Sequence, residues 1–258
     1  MRAVSVHPDA LVLTSRMWQL NAVALRAGGE CMLIDSPYFP DELELLPGVL
    51  AQAGFEPDAL LATHADFDHL LGRLAFPGLA LGVGELSAER LQREPGAAQR
   101  ELRDADAEFY VSRPSPLSLG SVQALPVPGR LELGKEELEV HPAEGHTSDG
   151  LVLLAPFCGV LAVGDYLSDV ELPMLSAGGS LDAYRSTLAR LGPLVERAAT
   201  VVPGHGSVLS RDAALRVLDE DLAYLDELQQ GKERVKLPDG RDSSRQRALH
   251  TENLAALS

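Results

Sequence analysis

Two imidazoles and two carboxylates crowd into six residues at His64-Ala65-Asp66-Phe67-Asp68-His69. Nitrogen and oxygen donors at this density suit zinc, iron or manganese, and the absence of a nearby cysteine argues against a purely structural zinc site. In an extended chain 64, 66 and 68 alternate in direction, so a tight turn is needed to gather them. The same residues also read as a capping stretch ahead of a helix starting near Leu70, with Asp66 or Asp68 as the cap.

Three further residues share the placement of this cluster, directly after an apolar, strand-like run or one short loop beyond it. His146 follows Leu138-Glu139-Val140, Asp165 follows Val160-Leu161-Ala162-Val163-Gly164, and His205 follows Val201-Val202-Pro203-Gly204. Strand ends are where a rigid scaffold can deliver side chains to a common point. Four such loops bearing imidazole or carboxylate are hard to explain as packing.

The elements that must position them are short strands interleaved with helices. Asn21–Leu25 and Cys31–Asp35 flank Gly28-Gly29, the composition of a hairpin turn. Helical spacing covers 41–53, 180–198 and 211–229, and a short strand from Asp58 to Leu61 runs into the cluster. Residues 131–140 read as a hairpin, and 151–155, 160–163 and 199–202 as buried strands. Region 85–128 holds two candidate helices, 85–93 and 97–108, then Pro114, Pro116, Pro126 and Pro128. It reads as an irregular insertion, either a lid over the site or a passive excursion. From Gly231 to Arg247 six basic residues accompany three acidic ones, a composition read as a solvated tail. The order of elements predicts one layered α/β (α+β) domain across 1–258.

Composition narrows the partners. The chain has 258 residues, 45% hydrophobic, with a formal net charge of −16. Such a surface repels phosphate backbones, so a small molecule is expected as partner and nucleic acid is not. No apolar run is long enough to span a membrane and no leader follows the N-terminal Met1-Arg2, so the expectation is a cytoplasmic protein without a membrane partner. Cys31 and Cys158 lie inside apolar runs and read as small buried thiols.

The cluster resembles the H-x-H-x-D-H motif of the metallo-β-lactamase superfamily, with one departure: Asp66 stands where the family has histidine. The later landmarks of that family follow in order, as Gly145-His146-Thr147, Gly164-Asp165 and Pro203-Gly204-His205-Gly206, with Asp35 at the end of an earlier strand. The resemblance covers roughly residues 11–230. It implies a four-layer αββα sandwich with two divalent ions at one edge, zinc first and iron or manganese as alternatives. By that resemblance His64, Asp66 and His146 hold one ion, Asp68, His69 and His205 the other, and Asp165 bridges them. Asp66 then either ligates and makes a harder site, weakens its position, or marks a degenerate site.

The implied chemistry is hydrolysis of a lactone, thioester, other ester or phosphoester through a metal-bound hydroxide, with Asp68 orienting the nucleophile. Two alternatives stand beside it. One is a non-haem iron oxidoreductase resembling the superfamily's persulfide dioxygenases or its diiron members, which carry a carboxylate at the Asp66 position. The other is a binding member without catalysis. Tyr166 reads either as a donor to a substrate oxyanion or as a strand-end aromatic packed on the sheet. Ser148 and Asp149 read either as support for His146 or as caps.

Overall fold

Strands in which every residue is apolar must be covered on both faces, and Leu151–Ala155 and Val160–Ala162 are buried at every residue. The computed structural model describes residues 1–176, 178–231 and 235–257. In chain order the elements are β1 (Arg2–His7), β2 (Ala10–Thr14), β3 (Asn21–Ala27), β4 (Glu30–Ile34), α1 (Pro40–Gln52), β5 (Ala59–Leu61), a 3-10 turn (Phe67–Leu70), α2 (Gly72–Ala75), β6 (Ala80–Gly84), α3 (Glu85–Arg93), α4 (Ala97–Glu108), β7 (Val122–Leu125), β8 (Gly129–Leu133), β9 (Glu136–Pro142), β10 (Leu151–Ala155), β11 (Val160–Ala162), α5 (Leu181–Arg197), β12 (Thr200–Val202), β13 (Leu209–Ser210), α6 (Arg211–Gln229) and α7 (Ser244–Ala256).

Two sheets result. The first runs β1-β2-β3-β4-β5-β6-β7, antiparallel to β4 and parallel beyond it. The second runs β13-β12-β11-β10-β9-β8, with β11 and β12 parallel and the rest antiparallel. Period-two alternation assigns each strand residue to one of three apolar layers. Val12, Val23 and Leu25 meet Val140, Leu151 and Leu153 between the sheets. Leu11, Leu13, Ala22 and Ala24 face outward onto Leu43, Leu46 and Leu50 of α1 and Leu102 of α4. Val152, Leu154 and Val201 face the other way, onto Leu188, Leu191 and Val195 of α5 and Leu218 and Leu225 of α6. This is the four-layer αββα sandwich.

Local chemistry explains the boundaries. Ala27 pairs with Glu30, leaving Gly28 and Gly29 as a two-residue turn with φ of 59° and 93°, the type I′ geometry that glycine adopts without steric penalty. Ser180 and Ser210 start α5 and α6, each hydroxyl accepting the backbone N–H three residues on at 3.3 Å. The expected helices at 85–93 and 97–108 are present as α3 and α4. The segment beyond them is not wholly irregular, because β7 joins the edge of the first sheet alongside β6.

The C-terminal tail corrects the solvated-loop expectation. Arg241 is 1% exposed and pairs with Asp221 and Glu220, and α7 packs with Gln246, His250 and Asn253 buried. Arg241, Gln246 and Asn253 bond backbone groups of the 168–175 loop, while Lys236, Asp239, Asp242, Arg245 and Arg247 stay exposed, so the tail is solvated only in part. Cys31 and Cys158 are buried free thiols, as the apolar runs around them imply. Among the described residues no helix is long and apolar enough to cross a membrane.

Candidate metal centre

Every residue of the cluster sits just beyond the C-terminal end of a strand. His64, Asp66, Asp68 and His69 follow β5, His146 lies between β9 and β10, Asp165 follows β11 and His205 follows β12. Backbone bonds tie the loops of the two sheets together. Leu151 N–H donates to Thr63 O at 2.8 Å, and Asn21 N–H donates to Gly204 O at 2.7 Å. The Asn21 amide also donates to Pro203 O and Gly206 O, so one side chain at the start of β3 fixes both flanks of His205.

The turn after β5 does gather its side chains. Asp66 stands at the N-terminus of the 3-10 turn but its side chain makes no capping bond, so the capping alternative does not hold. Three donor sets form, each with all ligand atoms within 4.8 Å of one another: His64, Asp66 and His146; Asp68, His69 and His205; and His64, His69 and Asp165.

In the first set Asp66 Oδ2 is 3.5 Å from both His64 Nε2 and His146 Nε2. In the second, Asp68 Oδ2 is 3.5 Å from His205 Nε2 and 3.9 Å from His69 Nε2. Asp165 lies between them, with Oδ1 at 3.1 Å from His69 and Oδ2 at 3.3 Å from His146 and 3.5 Å from His205. A tetrahedral shell with ligand distances of about 2.0–2.1 Å has donor–donor edges of about 3.3–3.4 Å, so these spacings fit a cation at each centre.

Orientation of the imidazoles strengthens the fit. Each Nδ1 has an oxygen partner: Thr63 Oγ1 at 3.1 Å for His64, Asp35 Oδ2 at 3.0 Å for His69, Met174 O at 3.0 Å for His146 and Trp18 O at 3.3 Å for His205. The Thr63 hydroxyl donates to Asp35 and is left to accept from His64. An oxygen on Nδ1 fixes the ring and presents the Nε2 lone pair inward, the arrangement found behind metal-bound histidines. Accordingly, the Nε2 atoms of His64, His69 and His146 and the Oδ1 of Asp165 are buried without a hydrogen-bond partner, four of the six such side-chain atoms among the described residues. Native interiors rarely leave polar atoms unpaired, so this concentration points to a ligand.

Electrostatics agree. Burial alone would raise Asp66, yet the His64 and His146 imidazoles beside it hold its carboxyl well below the usual range. Burial likewise opposes the shift at Asp165, which His205 and His69 hold low. Burial would lower the histidines, but Asp35, Asp165 and Asp68 push His69 well up, and Asp66 and Asp165 push His146 up to about 9. The oxygens thus favour positive charge at the centre of the cluster.

Three residues differ from the sequence expectation or do not stand out in the sequence at all. Tyr166 is not available to a substrate: its hydroxyl donates to Ala143 O and accepts from His146 N–H, both at 3.0 Å, and the residue is buried against Tyr184. Strand-end packing is therefore its role. Asp149 supports the loop of His64 rather than His146, accepting from Ala65 N–H at 3.0 Å and from Ser87 Oγ at 2.8 Å. Arg90, on α3, is the residue that sequence reasoning misses. Its Nη1 lies 2.8 Å from Asp66 Oδ1 and 3.0 Å from Asp149 Oδ1. The one trace in the sequence is that Ser87 and Arg90 stand three residues apart, on one face of a helix. Phe67 is partly buried against the apolar layer under α1, beside Tyr38.

Comparison with known proteins adds the following. A family model described as the metallo-beta-lactamase superfamily matches residues 16–205. A metallo-beta-lactamase family protein from Thermus thermophilus superposes with a TM-score of 0.67 at 21% identity, covering 88% of this chain and 83% of that one. A metallo-beta-lactamase from Pontibacter korlensis gives 0.64 at 20% identity, covering 84% and 97%. At such identities the likeness speaks for the fold. No curated protein matches in sequence.

Proposed function

The chain belongs to the metallo-β-lactamase superfamily, and from that premise we propose that it is a metal-dependent hydrolase acting on a carbonyl or phosphoryl centre of a small molecule. One observation carries the reading: the Nδ1 of each of the four imidazoles faces a protein oxygen, while three of the Nε2 atoms converge unpartnered on Asp66 and Asp165. Divalent ions held there supply a Lewis acid and lower the pKa of bound water from 15.7 to about 7.

The protein's own residues do the rest. His64, Asp66 and His146 would hold one ion and Asp68, His69 and His205 the other, with Asp165 shared. Asp68 is 7% exposed and lies beside His205 and His69, placed to orient a water and take its proton. Asp35 holds the His69 ring and is itself fixed by Thr63, whose N–H and hydroxyl both donate to it. Asp35 keeps a left-handed backbone at φ 56° to do so, a strained conformation for a residue with a side chain.

A lactone, thioester or other ester is favoured over a nucleic acid, because a chain of net charge −16 repels a polyanion. The test is metal content by mass spectrometry on protein purified without added metal or chelator, followed by an ester, lactone, thioester and phosphoester panel run against Asp165→Asn. Two ions per chain and a hydrolysis that Asp165→Asn abolishes support the reading. Fewer than one ion, or equal rates in both proteins, overturn it.

A second reading rests on the donor set. Each position offers two imidazoles and two carboxylates, which also suits iron or manganese. Iron in the purified protein with a visible absorption band would favour an oxidoreductase.

A further inference from the structure

We propose that Arg90 is the positioning residue that makes Asp66 a one-oxygen ligand, so that Asp66 can take the place of an imidazole. The proposal rests on the metal reading above and concerns how its unusual position is built.

An aspartate differs from a histidine there in two ways. It carries a full negative charge, and it reaches less far from the backbone. One unit on α3 and the loop before β10 sets how that carboxylate is presented. Arg90 binds Asp66 Oδ1, leaving Oδ2 at 3.5 Å from His64 and His146, so a single oxygen faces the cluster. The same guanidinium places a positive charge beside that carboxylate, and because Asp149 shares it the three side chains together keep a net charge of −1. Asp149 completes the unit. It binds Arg90 through Oδ1, and through Oδ2 it holds the Ala65 N–H, fixing the backbone one residue before Asp66. Ser87, one turn earlier on α3, donates to the same Oδ2 and to Asp149 O.

Arg90 has its Nη1 committed to two carboxylates, and its side chain is 16% exposed. It acts on the reaction through Asp66. An outer partner of a metal ligand is worth about 10–100-fold in metal affinity. Its charge works in the opposite direction, because a guanidinium this near repels a cation. The two effects separate in a cycle: replacing Asp66 by histidine removes the carboxylate to be oriented and leaves only the repulsion.

The experiment is a Zn(II) titration of the metal-depleted full chain against a chromophoric chelator, for the native protein, R90M, R90K, D66H and D66H/R90M, with circular dichroism to confirm folding. In R90M one of two sites should weaken about 10–100-fold while the other keeps its affinity. R90K, which keeps the charge without the fork, should lose less and serves if R90M does not fold. In the D66H background the loss of Arg90 should leave affinity unchanged or raise it. Native-like or tighter zinc binding by R90M overturns the role of Arg90 alone, as does an equal loss in the D66H background. A native chain that takes up fewer than two zinc ions overturns both this inference and the two-ion reading beneath it.

Discussion

A single methyl group on a residue that ligates nothing should weaken metal binding about 100-fold. A Cβ built on Gly204 lies 2.2 Å from Asp165 Oδ1, with Gly164 C and O at 3.1 Å, and Gly204 is not in the left-handed region. Gly204→Ala therefore meets no backbone strain and asks only a few tenths of an ångström of Gly164. The carboxylate must instead retreat from 2.2 Å to at least 3.0 Å, about 0.8 Å, and as the end of a side chain it moves more readily than the backbone around it, at the expense of its imidazole contacts. That shift moves Oδ1 out of the place from which it approaches His69 at 3.1 Å. Loss of a mere outer partner of a metal ligand costs about 10–100-fold in metal affinity, so displacing a ligand itself is set at roughly 100-fold. If metal affinity falls by that factor, saturating-metal stabilisation drops by about 2.7 kcal/mol, which is roughly 5–11 °C in melting temperature for a domain of this size. The assay is a thermal melt of both proteins with zinc and with chelator, alongside metal content. The variant should melt like the native protein in chelator and give up roughly 5–11 °C of the zinc-dependent rise. Retention of both ions with the native rise would refute the reasoning, and an equal drop in chelator would show damage to the fold instead.

Metal uptake should release protons at pH 7, because Asp66 and Asp165 raise His146 to about 9 against an ordinary 6.5 and a ligating nitrogen must shed its proton. Apparent affinity then rises with pH up to about 9, and calorimetry in buffers of differing ionisation enthalpy reads the released protons; uptake without release contradicts the assignment. In chelator the sign reverses for stability: the raised imidazole contributes fully below about pH 6.5 and its contribution is lost as pH climbs through 9. Asn253→Ala removes the acceptor for Leu175 N–H and the donor to Pro173 O and Tyr224 OH, so it should destabilise the protein by about 1–3 kcal/mol in a denaturant melt. A change under about 0.5 kcal/mol, the range of ordinary surface substitutions, would show that α7 does not clamp this loop.

Legibility in the sequence follows locality. The β3–β4 turn and the helices α3, α4 and α6 can be read because the glycine pair and the helical spacing are local patterns, decided within a few turns of chain. The seven candidate ligands can be read because each stands at a strand end beside the landmark residues of a known motif. What escapes the sequence depends on partners distant in the chain. Arg90 is one of many surface-like arginines until α3 is laid beside the loop of Asp66 and Asp149. The sequence leaves Tyr166 between two roles because the partners that decide it, Ala143 O and His146 N–H, are backbone atoms twenty or more residues away. The tail reads as solvated because its charges stand, in sequence, apart from Asp221 and Glu220, which lie on α6.

That tail bears on the centre itself. Arg241 donates to Ser168 O and Glu171 O, Gln246 accepts from Leu172 N–H, and Asn253 grips Pro173 and Leu175. The loop so held supplies Met174 O to His146 Nδ1, and Ser176 N–H donates back to His146 O. His146 is thus oriented by the end of the chain, roughly a hundred residues after it. Under the proposed function each ion also joins the two sheets, since His64 and Asp66 come from the first and His146 from the second, while Asp68 and His69 come from the first and His205 from the second. Metal affinity in such a centre is folding energy as well. It follows that Asn253→Ala in α7, remote from any donor atom, should weaken the His64–Asp66–His146 position more than the Asp68–His69–His205 position, because the 168–175 loop supplies the Nδ1 partner of His146 directly but reaches His205 only through Asp169, which accepts from Ser207 N–H at 2.8 Å.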